Sequence, residues 1–335
     1  MEAQEDELKR VASLIKNASF LLVMAGAGMS AESGLKTYEE ITKDSNEKGM
    51  VYADYCDPDL LKDNPVEFWR FWGESANDYS RVTPHKGYMI LKKWRDRMMT
   101  PESSNFHDHF KSWFESNYDA FSSSMSVPQR FFVYTSNVDG LFRRSDIPSS
   151  EVIEIHGNAC CLQCTRGVAC NRGNEPDVWP LPLPFVGGDE ASLPRCSVCK
   201  RICRPYVLMF NDEEWLGLEN KGPSDFDLYD VWEEGMEEYL KEHEDSSLVI
   251  LEVGCGDRVP VVKMESETVL GDVTNLLNEE GEGETSKSPR VALVRINVKR
   301  SAYLDYHKEW SNGNSHIDPS TIFCLEGSCG DVLEK

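Results

Sequence analysis

The sequence predicts an α/β fold: a parallel sheet covered by helices on both faces, with a small cysteine-rich module inserted into it. Three observations carry this expectation. Short unbroken apolar runs alternate with segments of helical length, as strands buried on both faces and joined by crossover helices require. The first run, Phe20-Leu21-Leu22-Val23-Met24, leads straight into Gly26-Ala27-Gly28, a strand followed by a glycine turn. Seven of the eleven cysteines fall between Cys160 and Cys203.

The elements follow in chain order. Leu8, Val11, Ala12 and Ile15 recur at spacings of three and four, which predicts an amphipathic helix over Glu5–Asn17. The Phe20–Met24 run and its glycine turn come next, with Ser30 and Glu32 before an expected helix. The polar stretch Thr37–Asp63 reads as a mobile loop with short helices. Asn64–Ser75 and Pro84–Trp94 read as helices, Pro84 suiting a first helical turn, where a missing N–H costs little. Thr100–Gln129 is serine- and aromatic-rich and partly helical. Arg130–Thr135 and Glu151–Ile155 read as strands, the second ending at His156. The Trp179–Pro194 interior of the cysteine block is rich in Pro and Gly and reads as loop. Strand character resumes at Val207–Phe210. Asp225–Glu244 is an acidic helix, Leu248–Val253 a strand running into Gly254-Cys255-Gly256, Glu279–Ser288 a flexible acidic connector, and Val291–Val298 and Thr321–Leu325 the last strands.

Composition excludes several classes of function. The net charge of −23 over 335 residues leaves no surplus of cations to displace counterions, so neither nucleic acid nor an anionic membrane is expected as a partner. Small ligands and basic peptides stay open. A hydrophobic share of 40% suffices for a core. The opening MEAQEDELKR lacks the basic-then-apolar pattern of a secretory signal, and Phe20–Ala25 falls far short of the ~20 apolar residues of a membrane helix. A soluble intracellular protein, cytoplasmic or nuclear, is the expectation. In a reducing compartment clustered cysteines read as metal ligands rather than disulfides.

Four motifs carry chemistry. Gly26–Leu35 (GAGMSAESGL) combines a glycine turn with a helix N-terminus, an arrangement that accepts a pyrophosphate. It lacks the third glycine of the G-x-G-x-x-G fingerprint, and a plain strand-to-helix turn would read the same way. Thr135–Gly140 (TSNVDG) sets Asn137 and Asp139 at the carboxyl end of a strand, where ligands of open α/β sheets bind. An Asn-x-Asp-Gly string also describes a simple turn. His156-Gly157 follows a third strand; a lone histidine is commonly structural. Within the cysteine block, Cys196-x-x-Cys199 has ideal zinc-ligand spacing. The other pair is open between Cys161-x-x-Cys164 and Cys164 with Cys170. Four thiolates leave a zinc ion no open position, so such a site is structural.

In this order the four motifs resemble the sirtuin family. The family carries Gly-Ala-Gly-x-Ser-x-x-Ser-Gly, then Thr-Gln-Asn-x-Asp, His-Gly, two cysteine pairs and an Arg-Pro-x-Val strand. Here these are Gly26–Gly34, Thr135–Asp139, His156-Gly157, the cysteine block and Arg204–Phe210. Gly254-Cys255-Gly256 with Pro260, Arg295-Ile296-Asn297 and Gly327–Leu333 are similar to its downstream elements. The resemblance implies a Rossmann-like domain made of 1–157 and 205–335, with a helical and cofactor-loop insert around 36–95. It further implies a zinc-binding module at 158–204 whose ligands are Cys164, Cys170, Cys196 and Cys199, with Cys161 as the rival.

It also implies an NAD-dependent protein-lysine deacylase, which moves the acyl group of an acyl-lysine protein or peptide onto ADP-ribose and releases nicotinamide. Gly26, Ala27, Gly28 and Ser30 would hold phosphates and ribose. Asp139 would hold the nicotinamide carboxamide, and Asn137 would lie beside the ribose. His156 would act as general base. Gly254, Cys255 and Asn297 would touch the adenosine half, with Cys329 near the adenine. Two departures stand out. Where the family has Pro-x-Phe-Arg, this chain has Lys36-Thr37-Tyr38-Glu39: Tyr38 stands in for the aromatic ring at the cofactor, and Glu39 reverses a charge. Ser136, also at the cofactor, replaces the usual glutamine. An ADP-ribosyltransferase or NAD hydrolase on the same scaffold, or an NAD or ADP-ribose sensor without turnover, are the alternatives.

Overall fold

The computed structural model describes residues 2–37, 40–41, 43, 52–99, 104–117, 129–170, 177–218, 225–279, 289–298 and 317–335. The expected loop about Tyr38 and Glu39, and all of the acidic connector after Glu279, lie outside these residues.

Six strands form the main sheet: β1 (Phe20–Ala25), β2 (Phe131–Thr135), β3 (Val152–Glu154), β7 (Leu248–Val253), β8 (Val291–Asn297) and β9 (Ile322–Glu326). Their order is β3-β2-β1-β7-β8-β9, and every pairing is parallel. The order runs outward from β1 in one direction and resumes at β7 in the other. The turns after β1 and β7 therefore stand side by side at the reversal, the crevice in which doubly wound sheets hold ligands.

The apolar run of β1 shows why the sheet must be covered twice. Leu21, Val23 and Ala25 belong to one core, with the helices Glu2–Asn17, Lys86–Met98 and Cys329–Glu334. Phe20, Leu22 and Met24 belong to the other, with Ser104–Asn117, Asp225–Glu242 and Val261–Glu279. All six side chains are inaccessible to solvent. Burial of the five larger ones, Phe20 to Met24, contributes about 1.5–3 kcal/mol each.

The cysteine block folds as a second, three-stranded antiparallel sheet of β4 (Gly157–Cys164), β5 (Val178–Pro180) and β6 (Cys203–Val207) in the order β5-β4-β6. It shares a third core with the helix Pro65–Arg81, centred on the buried Phe68, Trp69 and Trp72. Trp69 Nε1 donates to the Cys203 carbonyl at 3.0 Å. Phe185 stacks on Trp69 and covers Gly73.

Three expectations need correction. The strand expected at Val207–Phe210 ends at Val207, and its body is Cys203–Val207, Pro205 included. An irregular register between Asn158 and Leu162 lets the proline sit in this edge strand. The Trp179–Pro194 loop begins with a short strand, β5. The nineteen-residue helix Val261–Glu279 has no counterpart in the sequence reading.

That helix carries two unusual polar contacts. Toward the sheet, Ser266 Oγ donates to Glu252 Oε2 at 2.7 Å, and Arg295 bridges Glu252 (3.1 Å) and Glu267, with Arg295 and Glu252 both buried. Toward the Asp225–Glu242 helix lies an acidic seam. Burial first, then the charges of Glu265, Glu237, Asp230 and Asp272, push the Glu233 carboxyl up to about 8. Tyr229 donates to Glu265 at 2.9 Å in the same seam.

Candidate functional site

The turn after β1 is fastened to the turn after β7. Gly26 N donates to the Val253 carbonyl (3.0 Å) and Gly28 N to the Gly254 carbonyl (2.8 Å). The glycines serve this contact directly. A Cβ on Gly28 would lie 2.7 Å from Gly254 Cα, and one on Gly254, whose φ is +62°, would lie 2.3 Å from Met29 N. The Gly28 N–H is therefore spent within the protein, and Gly26, the N-cap of the short Ala27–Ala31 helix, makes no side-chain cap.

The turn after β2 comes to the same place. Thr135 Oγ1 donates to the Ala25 carbonyl (2.9 Å) and accepts from Asn137 N (3.1 Å). Asn137 Nδ2 donates to the Gly26 carbonyl (2.9 Å) and to Ser30 Oγ (3.1 Å). Ser30 Oγ donates to Asp139 Oδ2 at 2.6 Å, and Asp139 Oδ1 accepts from Leu141 N at 2.8 Å. Ser30, Asn137 and Asp139 are all buried. Burial pushes the Asp139 carboxyl above the ordinary carboxylate range, against the pull of Ser30, the Leu141 N–H and the Arg144 charge.

His156 stands in the two residues between β3 of the large sheet and β4 of the small one. Burial lowers its pKa from the ordinary imidazole value, partly offset by a hydrogen bond to the Ser136 main chain. A ring neutral near pH 7 can accept a proton, as a general base must. Gly157 beside it has φ +81°, and a Cβ there would lie 2.2 Å from the Tyr206 carbonyl oxygen. Ser136 N in turn donates to the Ala25 carbonyl at 3.3 Å, so the imidazole is tied to the same strand end as Asn137.

The remaining predicted residues fall on the β7 and β8 side of the glycine turn. Asn297 Nδ2 donates to the Cys255 carbonyl at 2.7 Å, closing the β8 end over the β7 turn. The Cys255 thiol points back to the Met24 and Val253 carbonyls, both at 3.6 Å, so this residue offers the crevice its main chain rather than its sulfur. Cys329 is buried with its thiol 3.9 Å from the Gly28 carbonyl. Tyr38 lies outside the described residues. A cavity of about 880 Å³ adjoins Gly34, Leu35 and Lys36 and one face of the Pro65–Arg81 helix; Asn137, Asp139 and His156 do not line it.

Two residues of the site carry no sequence signal. Tyr88 is fully buried with its hydroxyl 3.0 Å from Ser30 Oγ. His85 caps the following helix by accepting from Gly87 N and bonds the Met29 carbonyl at 2.8 Å. Neither belongs to a recognisable string, because both act on the glycine turn across 56 or more residues of sequence.

In the small module the Sγ atoms of Cys164, Cys170, Cys196 and Cys199 lie within 4.8 Å of one another. Cys161, on β4 opposite Pro180, is not among them. Cys164 and Cys199 are 3.5 Å apart, Cys170 and Cys196 3.7 Å. Four thiolates about 2.3 Å from a tetrahedral zinc ion would be separated by about 3.8 Å, so the donor set fits that metal. Burial works against a thiolate at Cys196, but the main-chain N–H groups of Cys199 and Val198 bring it down to about 6.

No family model matches this chain. It is 28% identical over 192 residues to an NAD-dependent protein deacylase of Aquifex aeolicus, a match covering 57% of this chain and 62% of that protein. It is 30% identical over 206 residues to an NAD-dependent protein deacetylase 2 of Geobacillus kaustophilus, covering 61% and 66%. The chain thus spans a little under two thirds of these relatives. Among solved structures, a Sir2 homologue in complex with NAD superposes with a TM-score of 0.54 at 18% identity, over 98% of this chain and 91% of that one. Sir2 bound to an acetylated peptide gives 0.55 at 15% identity, over 98% and 95%. The structures establish the fold and the sequences establish descent: the chain is a homologue of the Sir2, or sirtuin, family.

Proposed function

We propose that this chain is an NAD-dependent protein-lysine deacylase with a structural zinc ion in the 158–204 module. The observation that carries the reading is the Ser30–Asn137–Asp139 network at the strand reversal, with His156 tied through Ser136 to the same strand end. When bound, NAD supplies the ADP-ribosyl group that takes up the acyl oxygen and loses nicotinamide. Both N–H groups of Asn137 are given to Gly26 and Ser30, so what this pair offers a carboxamide N–H is acceptor capacity, from the Asp139 carboxylate and the Asn137 amide oxygen. The lowered pKa of His156 suits a proton acceptor for a ribose hydroxyl near neutral pH. The zinc ion would brace the sheet that starts at Gly157 without meeting substrate. The relatives named deacylases and deacetylases, and the Sir2 structures with acetylated peptide, support an acyl-lysine protein or peptide as partner.

The test is product analysis after incubation with NAD and an acyl-lysine peptide library. Peptide-dependent acyl-ADP-ribose, lost in His156→Ala with zinc content unchanged, is the expected result. Free ADP-ribose without peptide dependence would point to a hydrolase, labelled protein to an ADP-ribosyltransferase, and binding without product to a sensor. Each of these would overturn the deacylase reading.

A further inference from the structure

The Ser30 hydroxyl is a junction whose protons can be counted. A hydroxyl has one proton to donate and two lone pairs to accept with. With Asp139 ionised, the Ser30 proton goes to Oδ2, 2.6 Å away. Asn137 Nδ2, at 3.1 Å, fills one lone pair. The Tyr88 hydroxyl, at 3.0 Å, must then donate into the other. The donors run in one direction, from Tyr88 through Ser30 to Asp139.

Tyr88 cannot readily swing away from this junction. Its side chain is fully buried, edge-on to His85 (centroids 5.0 Å apart) and to Phe142 (4.8 Å). His85 is itself held by the Met29 carbonyl and Gly87 N. The other groups acting on Asp139 are Leu141 N and the charge of Arg144, with Tyr79 and Glu154 nearby. Ser30 is the hydroxyl that joins Asp139 to Asn137. Without Tyr88 it would have an unfilled acceptor and would be freer to turn.

We infer that Tyr88 is a positioning residue for the dinucleotide site: through Ser30 its hydroxyl fixes the carboxylate of Asp139 and the amide of Asn137 before ligand arrives. This rests on the NAD reading proposed above. Pre-ordering these two groups removes part of the ordering cost of binding, and successive O–H donors polarise one another toward the carboxylate.

The test is Tyr88→Phe, which keeps the ring and removes the oxygen, with two readouts. Calorimetry of NAD binding is expected to show about tenfold weaker affinity, the effect of about one hydrogen bond. Carboxyl-carbon NMR of the free protein is expected to show Asp139 titrating at higher pH than in wild type, which a merely space-filling tyrosine would not cause. Asp139 titration or NAD affinity unchanged in a folded variant would overturn the inference. If wild type binds no NAD but the Asp139 titration moves, the carboxylate-fixing role of Tyr88 is supported and the NAD reading is what fails. Should Y88F not fold, hydroxyl-proton NMR of the wild-type chain decides. A slowly exchanging Tyr88 proton close to Ser30 supports the inference, and a rapidly exchanging one overturns it.

Discussion

Raising the pH from about 6 to about 9 is expected to weaken the folded state through Glu233, and Glu233→Gln is expected to remove that loss. The carboxyl titrates near 8 in the fold against an ordinary 4.5. Between those values the folded chain holds a proton that the unfolded chain has released, so stability falls as pH rises and levels off above the folded pKa. For one isolated group at 1.36 kcal/mol per pH unit, the loss between these two pH values is at most about 2.7 kcal/mol. Glu233 is only partly buried, and screening by solvent and counterions leaves roughly 1–2 kcal/mol. Urea unfolding of both chains at both pH values measures it. The wild type should lose midpoint with an unchanged slope, and the variant should lose less by that amount. An equal loss in both chains would refute the assignment of the burden to Glu233.

Three further outcomes are expected. Arg295→Met leaves Glu252 and Glu267 without their shared cation and should cost about 3–5 kcal/mol in denaturant unfolding, with partial recovery when Glu252→Gln is added. Gly157→Ala sets a Cβ against the Tyr206 carbonyl at a positive φ, so it should lower the melting temperature and abolish turnover together; an active, fully stable variant would contradict the geometry. Cys196→Ser should lose the bound zinc, about one ion per chain in wild type by elemental analysis, and a metal-free wild-type chain with a folded module would contradict the four-thiolate site.

The parts of the fold that the sequence made legible are those where a single physical demand dominates. The Phe20–Met24 run admits only a strand with two covered faces, and Asn137, Asp139 and His156 stand out in the sequence because each follows a readable strand. The Val261–Glu279 helix escaped notice because its sheet-facing side carries Lys263 and Ser266, buried polar residues made tolerable by Asp257 and by Glu252. Those partners lie just upstream, outside the helix, and the polar residues they satisfy interrupt its apolar stripe. Apolar character alone starts β6 at Val207, and only the family resemblance puts Arg204 and Pro205 in a strand; the edge position and the irregular register accommodate the proline. Tyr88 was invisible for a different reason: a tyrosine one turn into a helix looks like core, and only the oxygen 3.0 Å away distinguishes it.

His156 belongs fully to neither sheet. The chain leaves the large sheet at Glu154 and enters the small one at Gly157, and Asn158 reaches back across this joint to Glu154 at 3.1 Å. The imidazole therefore rides on the axle between two rigid plates. A tilt of the cysteine-bearing plate is expected to change the aim of that ring, since the two share one backbone joint.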